Sequence, residues 1–404
     1  MSMTRILAIS ERYWPEGGGG EFATHLILNV LRKRFEVTVV TGTKSFSKLP
    51  GVKYVYEPLL SKWEKPILWL NTLRLVRTQR FRRLLRESGV VYVPRFAFPL
   101  IPCAKRLARK VVVHLHDYIP ISYTATVLAP YEEHKHRIAL DDTMLECMKS
   151  FKHCAGVSLL WWLPKLARKW VSQADKIICV SKRQAEIIAD QAPELRDKIE
   201  VVYNLLPPEI INVEPRKELD NTPTFLYVGG DSYVKGFRIL LYVLNRLGKQ
   251  GVKARFILTN KYSPRSLEAL KWLSDKYRNL DIQVLGRIEY EKLRELHMKA
   301  WALLLPSICE ETFSYAVIEA ATLATIPIAS RAGGATELLN GTIAQQFTVI
   351  PGSVNDLAKR ISMITSLTTD EVKVLGFKLR EEVLRKLDPN KIERRIIEVF
   401  GEIY

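Results

Sequence analysis

The chain has 404 residues, 47% hydrophobic, 26% charged and 9% aromatic, with 20 glycines and 20 prolines spread along it. Composition of that kind belongs to a globular protein with length for two domains of roughly 200 residues, and it excludes a disordered tail, a collagen-like fibre and a disulfide miniprotein. The net charge of +18 is lopsided, since residues 1–200 hold 33 Lys+Arg against 19 Asp+Glu and the remainder holds 28 against 24.

Short β-branched runs alternate with helical patterns from the start. TRILAIS, EVTVVTG, KYVYEP, VVYVPR and KVVVHLHD predict strands, each apolar nearly throughout, as in a parallel sheet covered by helices on both faces. EFATHLILNVLRKR and the stretch Leu70–Arg86 have helical spacing, and DKIICVS, RQAEIIADQ and KIEVVYN continue as strand, helix and strand. The proline-studded segment Leu205–Pro223 then reads as an interdomain linker. TFLYVGG restarts the alternation, followed by helix FRILLYVLNRLGKQG, strands ARFILTN and DIQVLG, a helix from Tyr290 to Ala300, strand ALLLPS, helix YAVIEAATL and strand IPIAS. Two tandem βαβ-rich regions predict an α/β protein with two doubly wound, Rossmann-like parallel sheets facing a cleft. The expected domains are residues 1–205 and 206–388, with 389–404 as a terminal helix whose return to the first domain is one expectation.

No apolar run reaches the roughly 18 uncharged residues of a membrane span, and the opening MSMTRILAIS reads as a strand, not a signal peptide. The five cysteines (Cys103, Cys147, Cys154, Cys179 and Cys309) cannot all pair and form no CxxC, which reads as a reducing, cytoplasmic compartment.

In doubly wound sheets ligands bind outside the carboxyl ends of the strands, so four loops stand out. PEGGGGE (15–21) offers close backbone approach and a helix N-terminus for an anion, though it is not GxGxxG. HLHDYIP (114–120) sets His114 and His116 on one strand face with Asp117 at its end. Those two histidines have no clear third ligand for zinc, and His114 reads as a core histidine. YVGGDSYVKGF (227–237) places Lys235 on the N-terminal side of a helix, a phosphate-sized cation or simply a surface lysine. PSICEETFSYAVIEAATLATIPIASRAGGATEL (306–338) has Glu311 in a loop and Glu319 on an otherwise apolar helix, where both can face one polyhydroxylated ligand.

Glu311 and Glu319 form the E-x7-E mark within PS-x-x-x-E-x-F-x-x-x-x-x-E-A, and in this the second half resembles a retaining GT-B glycosyltransferase of family GT4. P-I-A-S-x-x-G-G-x-x-E-L (327–338), PEGGGGE, HDYIP, ADKIICVSK, VVYN and LGRIEYEKLRELHMKA resemble that family too, in order along nearly the whole chain. The resemblance implies an N-terminal domain for the acceptor and a C-terminal domain for a nucleotide sugar, UDP- or GDP-linked. It implies Glu319 on the ribose hydroxyls, Glu311 on the donor hexose, backbone N–H groups of Phe313, Ser314 and Tyr315 nearby, and Lys235 on the diphosphate. It further implies Gly286, Arg287 and Ile288 beside the base, Gly18 and Gly19 against the donor phosphate and acceptor, and His116 on the transferred sugar, with Asp117 on the acceptor side. No DxD occurs, and catalysis without metal or other cofactor is expected.

Three departures from the family pattern stand out. Gly230 occupies the place of the usual phosphate-loop Arg, so one diphosphate cation is missing unless Arg287 or Arg331 reaches in; E-G-F-G has become Glu311-Thr312-Phe313-Ser314; and Glu310 leaves the first glutamate's assignment open by one residue.

The one-sided basic field fits an anionic partner, with a thermophile's Lys/Arg-rich surface as the bland alternative. Leu70, Leu73, Val76, Leu84 and Leu85 fall near one helical stripe with Arg74, Arg77, Arg82, Arg83 and Arg86 opposite, Trp63 and Trp69 alongside, and Trp161 and Trp162 in WWLPKLARKW further on. Such segments suit shallow docking on an anionic membrane, and the plain alternative is a core-facing helix with a solvated basic back. The reading is a cytoplasmic, peripherally membrane-associated, metal-independent retaining glycosyltransferase, acting on a glycan or polyprenyl-phosphate-linked acceptor in cell-surface polysaccharide or protein-glycan assembly. Against it stand a non-catalytic scaffold subunit of the same fold and a nucleotide-sugar epimerase. A nucleic-acid binder explains the charge but not Glu311 and Glu319.

Overall fold

The computed structural model describes residues 4–62 and 64–402, divided into two compact units. Unit 1 takes residues up to Val127, Lys135–Leu205 and the segment from Asp388 onward; unit 2 takes Leu128–His134 and Leu206–Leu387.

Unit 1 holds seven strands: β1 (Arg5–Ser10), β2 (Glu36–Thr41), β3 (Lys53–Tyr56), β4 (Val90–Val93), β5 (Lys110–Leu115), β6 (Lys176–Cys179) and β7 (Ile199–Val201). They run parallel in the order β3-β2-β1-β4-β5-β6-β7. The all-apolar β4 is buried at every position, as a central strand covered on both faces must be. Helix Pro389–Gly401 belongs to this unit: Phe400 meets the Tyr92 ring edge-on at 5.1 Å, and Lys33–Glu393 and Arg395–Glu200 ion pairs tie it down.

Unit 2 holds β8 (Thr224–Tyr227), β9 (Ala254–Thr259), β10 (Leu280–Gly286), β11 (Ala302–Leu305) and β12 (Ile326–Ala329), parallel in the order β10-β9-β8-β11-β12. In each sheet the strand order reverses once, between β1 and β4 in unit 1 and between β8 and β11 in unit 2. Those two switch points are where doubly wound folds open a crevice for ligands.

Several expectations need correction. The proline-rich segment after Leu205 is no loose linker but a packed part of unit 2. Ile210 is fully buried, Glu218 donates its N–H to Met298 O at 3.0 Å, and buried Lys217 donates to His297 O, Ala300 O and Thr325 Oγ1 at 2.5–3.0 Å. Residues 128–134, placed by the sequence in the first domain, join unit 2 through an antiparallel bridge between Leu128 and Cys309. The stretch Leu70–Arg86 is two helices, Lys65–Leu75 and Gln79–Glu87, because Thr78 caps the second by accepting the Phe81 N–H. Finally, Cys147 and Cys154 form a disulfide across the turn between helices Ile138–Cys147 and Phe151–Leu160, while Cys103, Cys179 and Cys309 are buried thiols.

Candidate functional site

The unit 2 switch point brings two of the singled-out residues into contact. Lys235, in the loop after β8, places its ammonium 2.6 Å from Glu311 Oε1, in the loop after β11. Ser307 Oγ donates to the same carboxylate oxygen at 2.7 Å, and the Cys309 thiol lies 3.9 Å away. Burial works against both charges, but their attraction prevails: Glu311 is held below the usual carboxylate range and Lys235 above the usual amine range. The pair is therefore ionised at neutral pH, with both side chains still partly open to solvent.

Glu310 has a separate task. It is 3% exposed, accepting the Tyr131 N–H on Oε1 at 2.8 Å and the Gly333 N–H on Oε2 at 2.6 Å. It thus staples segment 128–134 and the loop after β12 to the Glu311 loop, and Glu311 is the glutamate left facing the crevice. Gly333 lies in the left-handed region at φ 58°, and a β-carbon there would overlap the Glu311 carbonyl, so the backbone approach demands glycine. Gly334 donates to Glu311 O at 2.6 Å.

Glu319 lies half-buried on helix Tyr315–Thr322, whose N-cap is Ser314. Burial pushes its carboxyl up to about 7, opposed by a hydrogen bond from the Tyr290 hydroxyl. Phe313 and Ser314 are buried, and the Phe313 and Tyr315 rings meet edge-on at 5.5 Å. Gly286 ends β10, its carbonyl accepting the Asn260 N–H at 2.6 Å, and Ile288 packs on the cluster of Leu226, Leu296, Leu303 and Ala320, together with Ala316. Segment 286–288 and the Glu319 helix thus share one support. Gly230 has φ 59°, and a β-carbon would come within 2.8 Å of Lys261 O, which explains why no arginine stands there. Arg287 and Arg331, the two named substitutes, lie beyond the ends of β10 and β12, both exposed.

In unit 1 the switch point is closed by buried charge. Arg95, just beyond β4, reaches Glu21 Oε1 at 3.2 Å, and Glu21 Oε2 accepts the Gly18 N–H at 2.8 Å at the start of helix Gly19–Leu31. Glu11 is 2% exposed and pushed up to about 7 by burial, with nearby Arg95 and the Phe96 N–H opposing. A β-carbon at Gly18 would meet nothing, whereas one at Gly20 would run into the Arg95 guanidinium and crowd His116. His114 is buried and neutral, Nδ1 bonded to the Tyr92 hydroxyl at 2.9 Å. The ring of half-exposed His116 lies 4.1 Å from it, and burial first, then His114 and Arg95, hold it neutral. Asp117 accepts the Ile119 N–H at 3.0 Å, and Gln184 clamps the Leu115 and Asp117 carbonyls.

Sequence reading missed Arg95, Glu11 and Ser307. Each closely follows an apolar strand, and a polar residue there was the available signal. Of the apolar stripe it drew, Val76 and Leu85 are buried and Leu84 is half-buried, but Leu70 and Leu73 are not. Leu70 and Leu73 point to solvent beside exposed Arg74 and Arg77, while Leu68, Trp69 and Leu75 are buried, with Trp69 edge-on to Trp170 at 5.0 Å. Arg82 and Arg83 are exposed; Trp63 lies outside the described residues. Trp161 and Trp162 are 57% and 43% exposed, as are Phe151 (89%) and Leu159 (74%) on the preceding helix, and Lys165 lies over the Trp161 ring at 4.7 Å. Among the described residues no helix is long and apolar enough to cross a membrane.

Two adjoining families match the chain: Glycosyltransferase Family 4 over residues 17–209 and Glycosyl transferases group 1 over 210–381. The chain is 26% identical over 241 residues to the phosphatidylinositol N-acetylglucosaminyltransferase gpi3 subunit of Schizosaccharomyces pombe, a match covering 59% of this chain and 51% of that protein, so the chain spans about half its length. It is 25% identical to a human phosphatidylinositol N-acetylglucosaminyltransferase subunit over 83% of this chain and 63% of that one. Among solved structures, Anabaena Alr3699/HepE in complex with UDP and glucose superposes with a TM-score of 0.68 at 18% identity, covering 99% of this chain and 100% of that one. Sucrose-phosphate synthase of Thermosynechococcus elongatus superposes at 0.74 and 15% identity, over 99% of each chain.

Proposed function

The chain belongs to the GT-B glycosyltransferases of the GT4 type, and from that premise we propose that it transfers a hexose or N-acetylhexosamine from a UDP-sugar, with retention, to a hydroxyl of a lipid-linked polyol or glycan. The observation that carries this reading is the ionised Lys235–Glu311 pair, with Ser307, across the switch point of unit 2. Breaking the bond between sugar and diphosphate puts negative charge on the leaving group and positive charge on the anomeric carbon. Lys235 supplies the fixed cation for the first, and Glu311, released from that pair, accepts from the sugar hydroxyls. Glu319, once ionised, accepts from two ribose hydroxyls. Arg287 and Arg331 are the cations available to replace the arginine that Gly230 excludes. In unit 1, His116 is held neutral, so its imidazole serves a sugar hydroxyl as a hydrogen-bond partner, and Asp117 serves the acceptor. No metal is assigned a role.

A lipid-linked acceptor is supported by relatives whose names specify phosphatidylinositol as acceptor and N-acetylglucosamine as the sugar. Support also comes from the exposed Phe151, Leu159, Trp161 and Trp162 along residues 151–162, with exposed Lys152 and Lys169, a composition that fits shallow insertion into an anionic leaflet. The scaffold reading rests on one observation, the missing arginine at Gly230, and the same assay decides it. The purified chain is incubated with UDP-N-acetylglucosamine, UDP-glucose or GDP-mannose and vesicles containing phosphatidylinositol. The expected result is a glycosylated lipid in mass spectra, α-linked by NMR, with UDP-sugar only. Inverted product would refute retention. Absence of transfer with every donor, alone and with added membrane extract, would favour the scaffold.

A further inference from the structure

Helix Tyr315–Thr322 carries one charged side chain, Glu319, and the hydroxyl that reaches it comes from Tyr290, the first residue of helix Tyr290–Lys299. The two helices share one apolar support. Ala316 and Ala320, on either side of Glu319 in sequence, pack in the same cluster as Leu293 and Leu296, which follow Tyr290 on its own helix. Small side chains on one helix let the other come close, and the shared packing holds phenol and carboxyl in register. Tyr290 itself is 37% exposed, so its ring lies at the edge of this packing and not within it.

Burial, then the Glu319 charge, holds the Tyr290 phenol above its usual range, with Glu209 adding to that and Arg294 opposing it. At any working pH the phenol is therefore a proton donor. Two influences act on the Glu319 carboxyl: burial raises it, and the Tyr290 hydrogen bond, made to the charged form, opposes. Tyr315, one turn back on the same helix, is likewise held protonated by burial and then by Glu319. The strands packed on this helix, β11 and β12, are apolar throughout. Of the other elements against it, helix Thr369–Lys386 brings Arg380, whose guanidinium donates to the Thr322 carbonyl at the far end, and helix Pro208–Ile211 brings exposed Glu209. Lys217, pushed down to about 7 by burial, is engaged with the His297 and Ala300 carbonyls at the far end of the Tyr290 helix. Glu319 is thus the group beside Tyr290 that changes charge near neutrality.

We propose that Tyr290 is a positioning residue of the donor site: its hydroxyl keeps the Glu319 carboxylate charged and aimed, ready for the ribose of an incoming nucleotide. The inference rests on the nucleotide-sugar reading, which it deepens by naming what sets the pH at which the site takes up its donor. A carboxylate has about four acceptor directions, so it can serve Tyr290 and two ribose hydroxyls together. Without the phenol hydroxyl, the carboxyl loses a hydrogen bond made to its charged form and is mostly neutral at pH 7. A neutral acid gives up part of its acceptor capacity to its own proton and serves two ribose hydroxyls poorly.

Two measurements on the full chain test it, each made on the unaltered protein, Tyr290→Phe and Glu319→Gln. Tyr290→Phe keeps the ring and removes only the donor, and thermal unfolding checks that both variants are folded. In the first, UDP is titrated by calorimetry across neutral pH. Affinity in the unaltered chain should rise with pH and level off, with a midpoint at about 7. In Tyr290→Phe the midpoint should move up by about one pH unit. Binding is then about fivefold weaker at pH 7 and nearly equal at about pH 9. In the second, carbon-13 NMR of the glutamate carboxyls follows the ligand-free protein, the resonance absent from Glu319→Gln being that of Glu319. The same upward shift is expected there. Equal midpoints in Tyr290→Phe and the unaltered chain by either measurement, or UDP affinity lowered equally at every pH, overturns the role of Tyr290. The carboxyl shift without any UDP binding by the unaltered chain would support the Tyr290–Glu319 coupling and strike the donor reading instead.

Discussion

The two units solve the same topological problem with opposite chemistry. Each sheet reverses strand order once, and each reversal is bridged by an ion pair between the segments that follow its two strands. In unit 1 the pair is Arg95–Glu21, with side chains 16% and 4% exposed and Glu11 buried alongside. In unit 2 it is Lys235–Glu311, at 38% and 12%, on a loop whose neighbours supply Ser307 and, on the next helix, Glu319. A buried pair contributes to holding its two segments together and is expensive to separate. A half-open pair can exchange its partner for a ligand. The second switch point is therefore read as the donor site, and the first as a locked frame that positions His116 and Asp117, while exposed Lys44 and Glu16 of unit 1 take no part in either pair.

Four substitutions or conditions press on that contrast. Gly333→Ala combines a strained positive φ with overlap on the Glu311 backbone, and should cost about 4 kcal/mol, read as a lowered melting transition accompanied by loss of nucleotide binding. Arg95→Ala strands the Glu21 carboxylate and should cost about 3 kcal/mol while leaving nucleotide affinity intact; weakened nucleotide binding in a folded variant would break the division of roles. Glu319 comes third. Its carboxyl, pushed up to about 7 by burial, accepts from ribose hydroxyls only when ionised. Raising pH from 6 to 8 moves it from mostly neutral to mostly ionised, so nucleotide affinity should rise about tenfold and the slope should flatten in Glu319→Gln. Affinity falling over that range would contradict the assignment. Gly20→Ala is the mildest, because the atom in the way is the flexible end of Arg95; a cost below about 1 kcal/mol is expected by chemical denaturation.

Much of this was visible in the sequence for a physical reason. A central strand of a parallel sheet must be apolar on both faces, so runs such as VVYV and ALLL announce themselves, and the Gly-rich and charged loops after them mark the strand ends. Glu319 stood out as the lone charge on an apolar helix. What stayed hidden depends on who meets whom in space. Glu310 and Glu311 are adjacent and identical in type, yet one is consumed by two backbone N–H groups and the other faces Lys235. Arg95 looked like any loop arginine because its partners lie 74 and 84 residues away in sequence. The break at Thr78 escaped because a single capping hydroxyl, set within continuous helical spacing, resets the phase of the buried face.

The most direct test of the central claim is a thermal-shift titration of UDP and UDP-sugars against the unaltered chain, Lys235→Ala and Lys44→Ala. A ligand at about 100 times its dissociation constant adds about 2.7 kcal/mol to the stability of the folded state. The account predicts stabilisation of the unaltered chain and of Lys44→Ala, and none of Lys235→Ala. Equal stabilisation of Lys235→Ala would contradict it, placing the nucleotide somewhere other than the switch point of unit 2.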